Sequence, residues 1–206
     1  MSIASFRARK EEMDKKLAQK LAPEEKKTYI DPRFWTLKSD DKGNKSAVIR
    51  FLPPPEGEDE YFVTMTRYWF QDLATKRWYR ENSLTTLGQK DPVSQYNSLL
   101  WKTGDAVKQN DVRTRKTQVK NYSNILVLSD PACPENEGKV FIYEYGKAIQ
   151  TMIETAIAGV KQGDKLLEEG FNPFDPFEGA DFSLTYTPGV KDTYGNYDSS
   201  RFLKQK

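Results

Sequence analysis

The chain has 206 residues, 37% hydrophobic and 30% charged, with 32 Lys/Arg against 30 Asp/Glu, no histidine and a single cysteine, Cys133. This length can bury one large core or a core with a subdomain, while the missing imidazoles exclude Ser-His and Cys-His nucleophile pairs and any Cys/His zinc site. With a mean hydropathy of -0.78, no apolar run near the ~20 residues that span a bilayer and no leader-like N-terminus, the sequence reads as a soluble cytoplasmic protein.

In chain order, residues 1–27 read as a basic helical arm, with eight Lys/Arg against five Asp/Glu and a stripe of Met13, Leu17 and Leu21 at helical spacing. A stripe so narrow cannot fold alone, so the arm must rest on another surface. The remainder, 28–206, is the core. Ser46–Leu52 is a strand by its alternation: Ala47, Ile49 and Phe51 share one face, and Arg50 projects from the other. Pro53, Pro54 and Pro55 end it. Strands are expected over 61–70 and 76–81 around a polar turn. Which face of 61–70 is buried stays open, because Val63 and Met65 argue for one set and Phe62, Tyr68 and Phe70 for the other.

Residues 91–101 form a short helix, with Asp91 as N-cap and Pro92 at the first helical position. A long strand is predicted from Arg113 to Leu128, followed by the loop DPACPENEG and a strand at Lys139–Tyr145. Ile149, Met152, Ile153, Ala156, Ile157 and Val160 mark a helix over 147–161. FNPFDPFEG at 171–179 is a turn-rich loop, and Phe182–Thr187 reads as a late strand. The fold class is mainly β with helices (α+β): an OB-type barrel with an aromatic-rich subdomain inserted at about 61–111.

The densest chemistry lies in YFVTMTRYWFQDLATKRWYR, residues 61–80, where seven positions are aromatic and Arg67, Lys76, Arg77 and Arg80 are basic. A core has use for the rings but not for cations threaded among them, since a buried unpaired charge is costly. Single-stranded nucleic acid suits both, because bases stack on rings and phosphates seek cations. The plainer alternative is two ordinary strands, each with a buried and a wet face. Charge is segregated elsewhere too: residues 102–120 carry six basic groups, Arg113, Arg115 and Lys116 among them, against Asp105 and Asp111. Weak sequence preference is expected, because no base-reading motif is present. Gly146-Lys147 lacks the Ser/Thr and the glycine spacing of a phosphate-binding loop. Asp40-Asp41 and the acids at 56–60 offer a Mg²⁺-dependent nuclease as a distant alternative. An RNA-binding OB protein would use the same surface.

The segments SAVIRFLP (46–53), RKT (115–117), SNILVLSDPACPENEGKVF (123–141), FEGADF (177–182) and NYDSSRFL (196–203) closely resemble the single-stranded DNA-binding, helix-destabilising protein of T-even-like bacteriophages. The resemblance implies cooperative, sequence-nonspecific coating of single strands in DNA replication, recombination and repair within the bacterial host. It places Arg50, Arg115 and Lys116 in the groove, with Tyr79 and Tyr143 among the ring-bearing positions. Charge and pattern add Arg67, Lys76, Arg77, Trp78, Arg113 and Tyr122. FRARK (6–10) resembles the family's basic N-terminal motif, so Arg7, Arg9 and Lys10 are expected to govern contacts between neighbouring subunits. The family ends in an acidic tail that recruits replication and recombination proteins; this sequence stops at RFLKQK, so either a tail beyond Lys206 has been trimmed or it is lacking. T-even members hold zinc through one His and three Cys. The matching positions here read Tyr68, Ser83, Asp91 and Ser94, so no cofactor is expected, and Trp69, Trp78, Val93, Tyr96 and Leu99 are the expected apolar replacement.

Overall fold

The computed structural model describes residues 10, 13–16, 31–72, 74–162, 165–189 and 194–203. Cα proximity divides the chain into Met1–Asp31 and Pro32–Lys206. In the first unit Lys10 and residues 13–16 are helical and exposed. Arg7, Arg9, Leu17 and Leu21 lie outside the described residues.

The second unit is built on an open, mixed sheet, which makes the fold α+β. Its strands are β1 (Phe34–Trp35), β2 (Lys45–Phe51), β3 (Val63–Gln71), β4 (Trp78–Asn82), β5 (Thr117–Ser129), β6 (Val140–Tyr145), β9 (Phe182–Tyr186) and β10 (Arg201–Phe202); β7 (Val160–Gln162) and β8 (Lys165–Glu168) form a separate hairpin. Three helices accompany them among the described residues of this unit: α1 (Pro92–Lys102), α2 (Ala106–Thr114) and α3 (Lys147–Ala158). None of the described helices is long and apolar enough to cross a membrane.

The thirteen residues of β5 organise the sheet. Along one edge its first half pairs with β3 (Val63 opposite Tyr122) and its second half with β2 (Phe51 opposite Ile125). Its other edge pairs with β6, Asn121 opposite Tyr145. Strict alternation follows: Asn121, Ser123, Ile125 and Val127 are buried, and Tyr122, Asn124 and Leu126 are only half-buried. The buried face joins Ile49, Phe51, Phe182 and Leu184 with Ile149 and Ile153 of α3 and Phe174. Each such side chain contributes ~1.5–3 kcal/mol relative to exposure. The loop after β5 is tied by Asp130, 1% exposed, whose carboxylate accepts from Trp35 Nε1 at 2.9 Å, Cys133 N at 3.1 Å and Asn136 Nδ2 at 3.0 Å.

Three expectations need correction. Residues 113–116 do not begin a strand: Asp105 caps α2 by accepting from Val107 N at 2.9 Å, and Arg113 falls in that helix's last turn. The helix is hard to see in sequence because Val107 and Val112 are its only strongly apolar residues after Ala106. Helix α3 stops at Ala158, not 161, because Gly159 adopts φ +72 and a Cβ there would stand 2.6 Å from the Glu168 carbonyl oxygen. Finally, the apolar replacement set is not a core: Trp69, Trp78, Tyr96 and Leu99 are 43%, 57%, 55% and 65% exposed, and Val93 is half-buried.

Candidate nucleic-acid interface

The four positions matched to zinc ligands do converge, but on a carboxylate. Asp91, 5% exposed, accepts at Oδ1 from the Tyr68 hydroxyl (3.1 Å) and Ser94 N (2.9 Å), and at Oδ2 from the Ser83 hydroxyl (2.9 Å) and Leu84 N (3.0 Å). One residue thereby caps α1 and binds it to β3 and to the turn after β4. Burial opposes ionisation of Asp91, and the donors from Ser94, Ser83, Leu84 and Tyr68 outweigh it, holding its pKa below the usual carboxylate value. This donor set does not fit zinc. It offers one carboxylate, two aliphatic hydroxyls and a phenol, and both carboxylate oxygens are already engaged.

Capped in this way, α1 lines a groove of about 620 Å³ with Tyr68, Asn97, Trp101, Lys102, Arg115 and Lys116 on its walls. Arg113 lies over the Trp101 ring at 5.3 Å and Arg115 over Tyr96 at 5.7 Å. Arg115 is aimed by Asn97, whose Oδ1 accepts from Nη1 at 3.2 Å, and by Asp111 at 3.8 Å. Trp101 and Tyr96 remain 45% and 55% exposed, so each ring has area free for a further planar partner.

The other predicted residues are dispersed. Arg67, Trp78 and Tyr122 stand on the opposite, outer face of the sheet. There Glu144 accepts from both Arg67 Nη atoms at 3.0 Å and from the Tyr122 hydroxyl at 2.8 Å, and Lys120 Nζ lies 3.4 Å away. Burial, then the Glu144 hydrogen bond and charge, push the Tyr122 pKa up to about 12. Lys76, at φ 56, and Arg77 sit exposed on the β3–β4 turn. Tyr79 packs on Phe70 at 5.1 Å, on the Tyr68 side of the hairpin.

Arg50 projects from β2 as expected, but its guanidinium is engaged. It meets Asp181 at 2.8 Å and donates to the Gly179 and Pro176 carbonyls at 2.9 and 3.3 Å, clamping the 172–181 loop. Tyr143 is 4% exposed and packs on Trp35 within the core, so its ring does not face solvent. Sequence reasoning did not single out Tyr96, Trp101 and Lys102 as binding residues. Their signal was the ring spacing on a capped helix immediately before the basic stretch.

Half-exposed rings carrying guanidinium groups, bordered by lysines, are the surface of a nucleic-acid-binding module of the base-stacking type. The family described as "gp32 DNA binding protein like" matches residues 43–206, and the chain belongs to it. The single-stranded DNA-binding proteins of Enterobacteria phages T2 and T4 are each 42% identical over 184 residues, covering 85% of this chain and 56% of the relative. The protein of the same name from Escherichia phage SV14 is 42% identical over 70 residues, covering 33% of this chain and 60% of the relative. The chain thus spans little more than half the length of these curated relatives.

Proposed function

We propose that this chain is a non-enzymatic phage protein that binds single-stranded DNA without regard to sequence, coating strands opened in replication, recombination and repair inside the host bacterium. The observation that carries this reading is the pairing of half-exposed rings with guanidinium groups, Arg113 on Trp101 and Arg115 on Tyr96, where Trp101 and Arg115 also stand on the walls of the α1 groove. An unpaired base has a free π-face for such a ring, and its phosphates find Lys102 and Lys116 on the same walls. The printed names of the T2 and T4 relatives support the choice of ligand. The shared edge of β5, with β2 and β3 in succession, supports a barrel of the OB type. The arm is assigned to self-association along DNA, and contacts with phage replication and recombination proteins to an acidic tail only if one follows Lys206. No zinc is required: the sequence offers one thiol and no imidazole.

The test is a salt-dependent titration of single-stranded DNA, duplex DNA and single-stranded RNA of matched length. Single-stranded DNA is expected to bind best, and Arg115→Ala to flatten its log–log salt slope by about 0.7, the value for one phosphate contact on a single strand. Equal affinity for duplex, or preference for RNA, would overturn the assignment.

A further inference from the structure

The β3–β4 hairpin is aromatic on both faces, and only one faces the groove. Register places Trp69 opposite Arg80, Phe70 opposite Tyr79 and Gln71 opposite Trp78. Alternation therefore puts Tyr68, Phe70 and Tyr79 on the side bound to α1, and Arg67, Trp69, Trp78 and Arg80 on the other. On that outer face the Arg80 guanidinium lies 4.8 Å from the Trp69 ring centroid and 5.6 Å from that of Trp78, while Arg67 lies over Trp69 at 5.8 Å. The two indoles meet edge to face at 6.5 Å. Beside them, at the hairpin edge, is a recess of about 280 Å³ lined by Arg67, Trp69, Arg80 and Asn82 of this face and by Tyr68 and Glu81 of the other.

Two features separate this cluster from ordinary packing. No other element among the described residues covers it: the indoles are 43% and 57% exposed, whereas Tyr68 on the opposite face is 2% exposed. Among the described residues Arg80 makes no ion pair, so its charge is available to an anion. Toward the sheet, Lys120 and Tyr122 extend the same face. Lys76 and Arg77 stand exposed at the turn that joins the two strands.

We propose that Trp69, Arg80 and Trp78 form a second nucleobase-stacking platform, which takes nucleotides of a single strand continuing around the hairpin turn from the α1 groove. This rests on the single-strand reading given above. Indole faces take bases, Arg80 takes a phosphate, and Lys76 and Arg77 carry the backbone across the turn. The platform lengthens the binding site without changing what the groove recognises.

The experiment compares oligothymidylates of ~4 and ~16 nucleotides, the limits that single OB folds occupy, by fluorescence titration of the whole chain. Trp69→Thr/Trp78→Thr keeps strand propensity at exposed positions. It retains Trp101 as reporter of the groove, and Trp35 is 4% exposed. The expected result is a loss of about 10- to 100-fold for the longer oligomer, the size of one or two lost stacks, with the shorter one unchanged. Arg80→Gln serves as a second variant should the double one fold poorly. It should reduce the salt slope by about 0.7 on the longer oligomer alone. Equal losses on both lengths, or none on either, overturn the platform. Failure of the unaltered protein to bind either oligomer would instead refute the single-strand reading itself.

Discussion

Replacing Asp91 with Ala should be among the most damaging single changes outside the main core. The substitution removes the N-cap of α1, which costs about 0.5–2 kcal/mol. It also strips the acceptor from the Tyr68 hydroxyl and Leu84 N, while Ser83 retains Thr85 Oγ1 at 2.9 Å. A buried donor left unsatisfied costs about 1–3 kcal/mol. These terms overlap, because a freed α1 lets water reach the donors, so the total should be about 2–4 kcal/mol. Asp105→Ala is the control, since that cap is exposed and should cost only about 0.5–1 kcal/mol. Asp91→Asn keeps one acceptor oxygen but loses the charge. Because the folded pKa of Asp91 is depressed, its contribution is complete above the unfolded value of ~3.9 and is lost as pH falls through the lower folded value. The stability gap between the native chain and Asp91→Asn should therefore close on acidification. Urea unfolding at neutral pH and near pH 3 reads both effects. A loss under 0.5 kcal/mol for Asp91→Ala, or a gap independent of pH, would refute the carboxylate as the organising centre.

Arg50→Ala should lower stability by about 1.5–3 kcal/mol, the range for hydrogen bonds to a charged group, because the 172–181 loop loses its clamp; equilibrium unfolding measures it. Elemental analysis should find no stoichiometric zinc, and EDTA should leave the thermal midpoint in place, because the Asp91 donor set does not suit the ion. A metal near one per chain would contradict this. Deleting residues 1–22 should leave affinity for a short oligonucleotide intact and weaken coating of long strands, as read by titration on both; equal losses would assign the arm to the groove.

Local patterns carried much of the fold. The alternation of Ala47, Ile49 and Phe51 gave β2 its buried face and turned Arg50 outward, and Asp-Pro at 91–92 marked the start of α1. Helix α2 was illegible because its hydrophobic period is nearly empty, leaving only the Asp105 cap after Gly104 as a signal. The ambiguity over residues 61–70 was real in physical terms. Both faces of that strand are aromatic, and what decides burial is the phenol of Tyr68 reaching Asp91, a contact 23 residues away. Sequence likewise cannot tell a ring that stacks on DNA from one that packs inside. Tyr143 and Trp78 look alike in the chain, yet one is 4% and the other 57% exposed. Arg50 shows the same limit for charge, because its acceptors, the Asp181 carboxylate and two backbone carbonyls, lie 126 to 131 positions away.

The hub at Asp91 also explains how a groove can depend on residues that never touch its ligand. The carboxylate gathers a strand, the turn after its partner and the N-terminus of α1, and so fixes the orientation of that helix at its first turn. Six residues further on, Asn97 Oδ1 accepts from Arg115 at 3.2 Å, holding that guanidinium beside Tyr96. Support for the cation is thus transmitted along a rigid helix from a buried anion to a side-chain amide. An ion held by thiolates and imidazole and a carboxylate accepting four hydrogen bonds solve the same problem, which is to make one centre satisfy groups from three elements. They are not interchangeable piecemeal. A single cysteine placed at position 83 would remove the hydroxyl that donates to Asp91, and one at 94 would leave its backbone N–H bond in place; neither completes a metal site, and a lone carboxylate among thiols would lack donors. The two arrangements are therefore alternatives, and the Tyr68 and Ser83 hydroxyls make sense here as donors to the Asp91 carboxylate, with Ser94 contributing its backbone N–H.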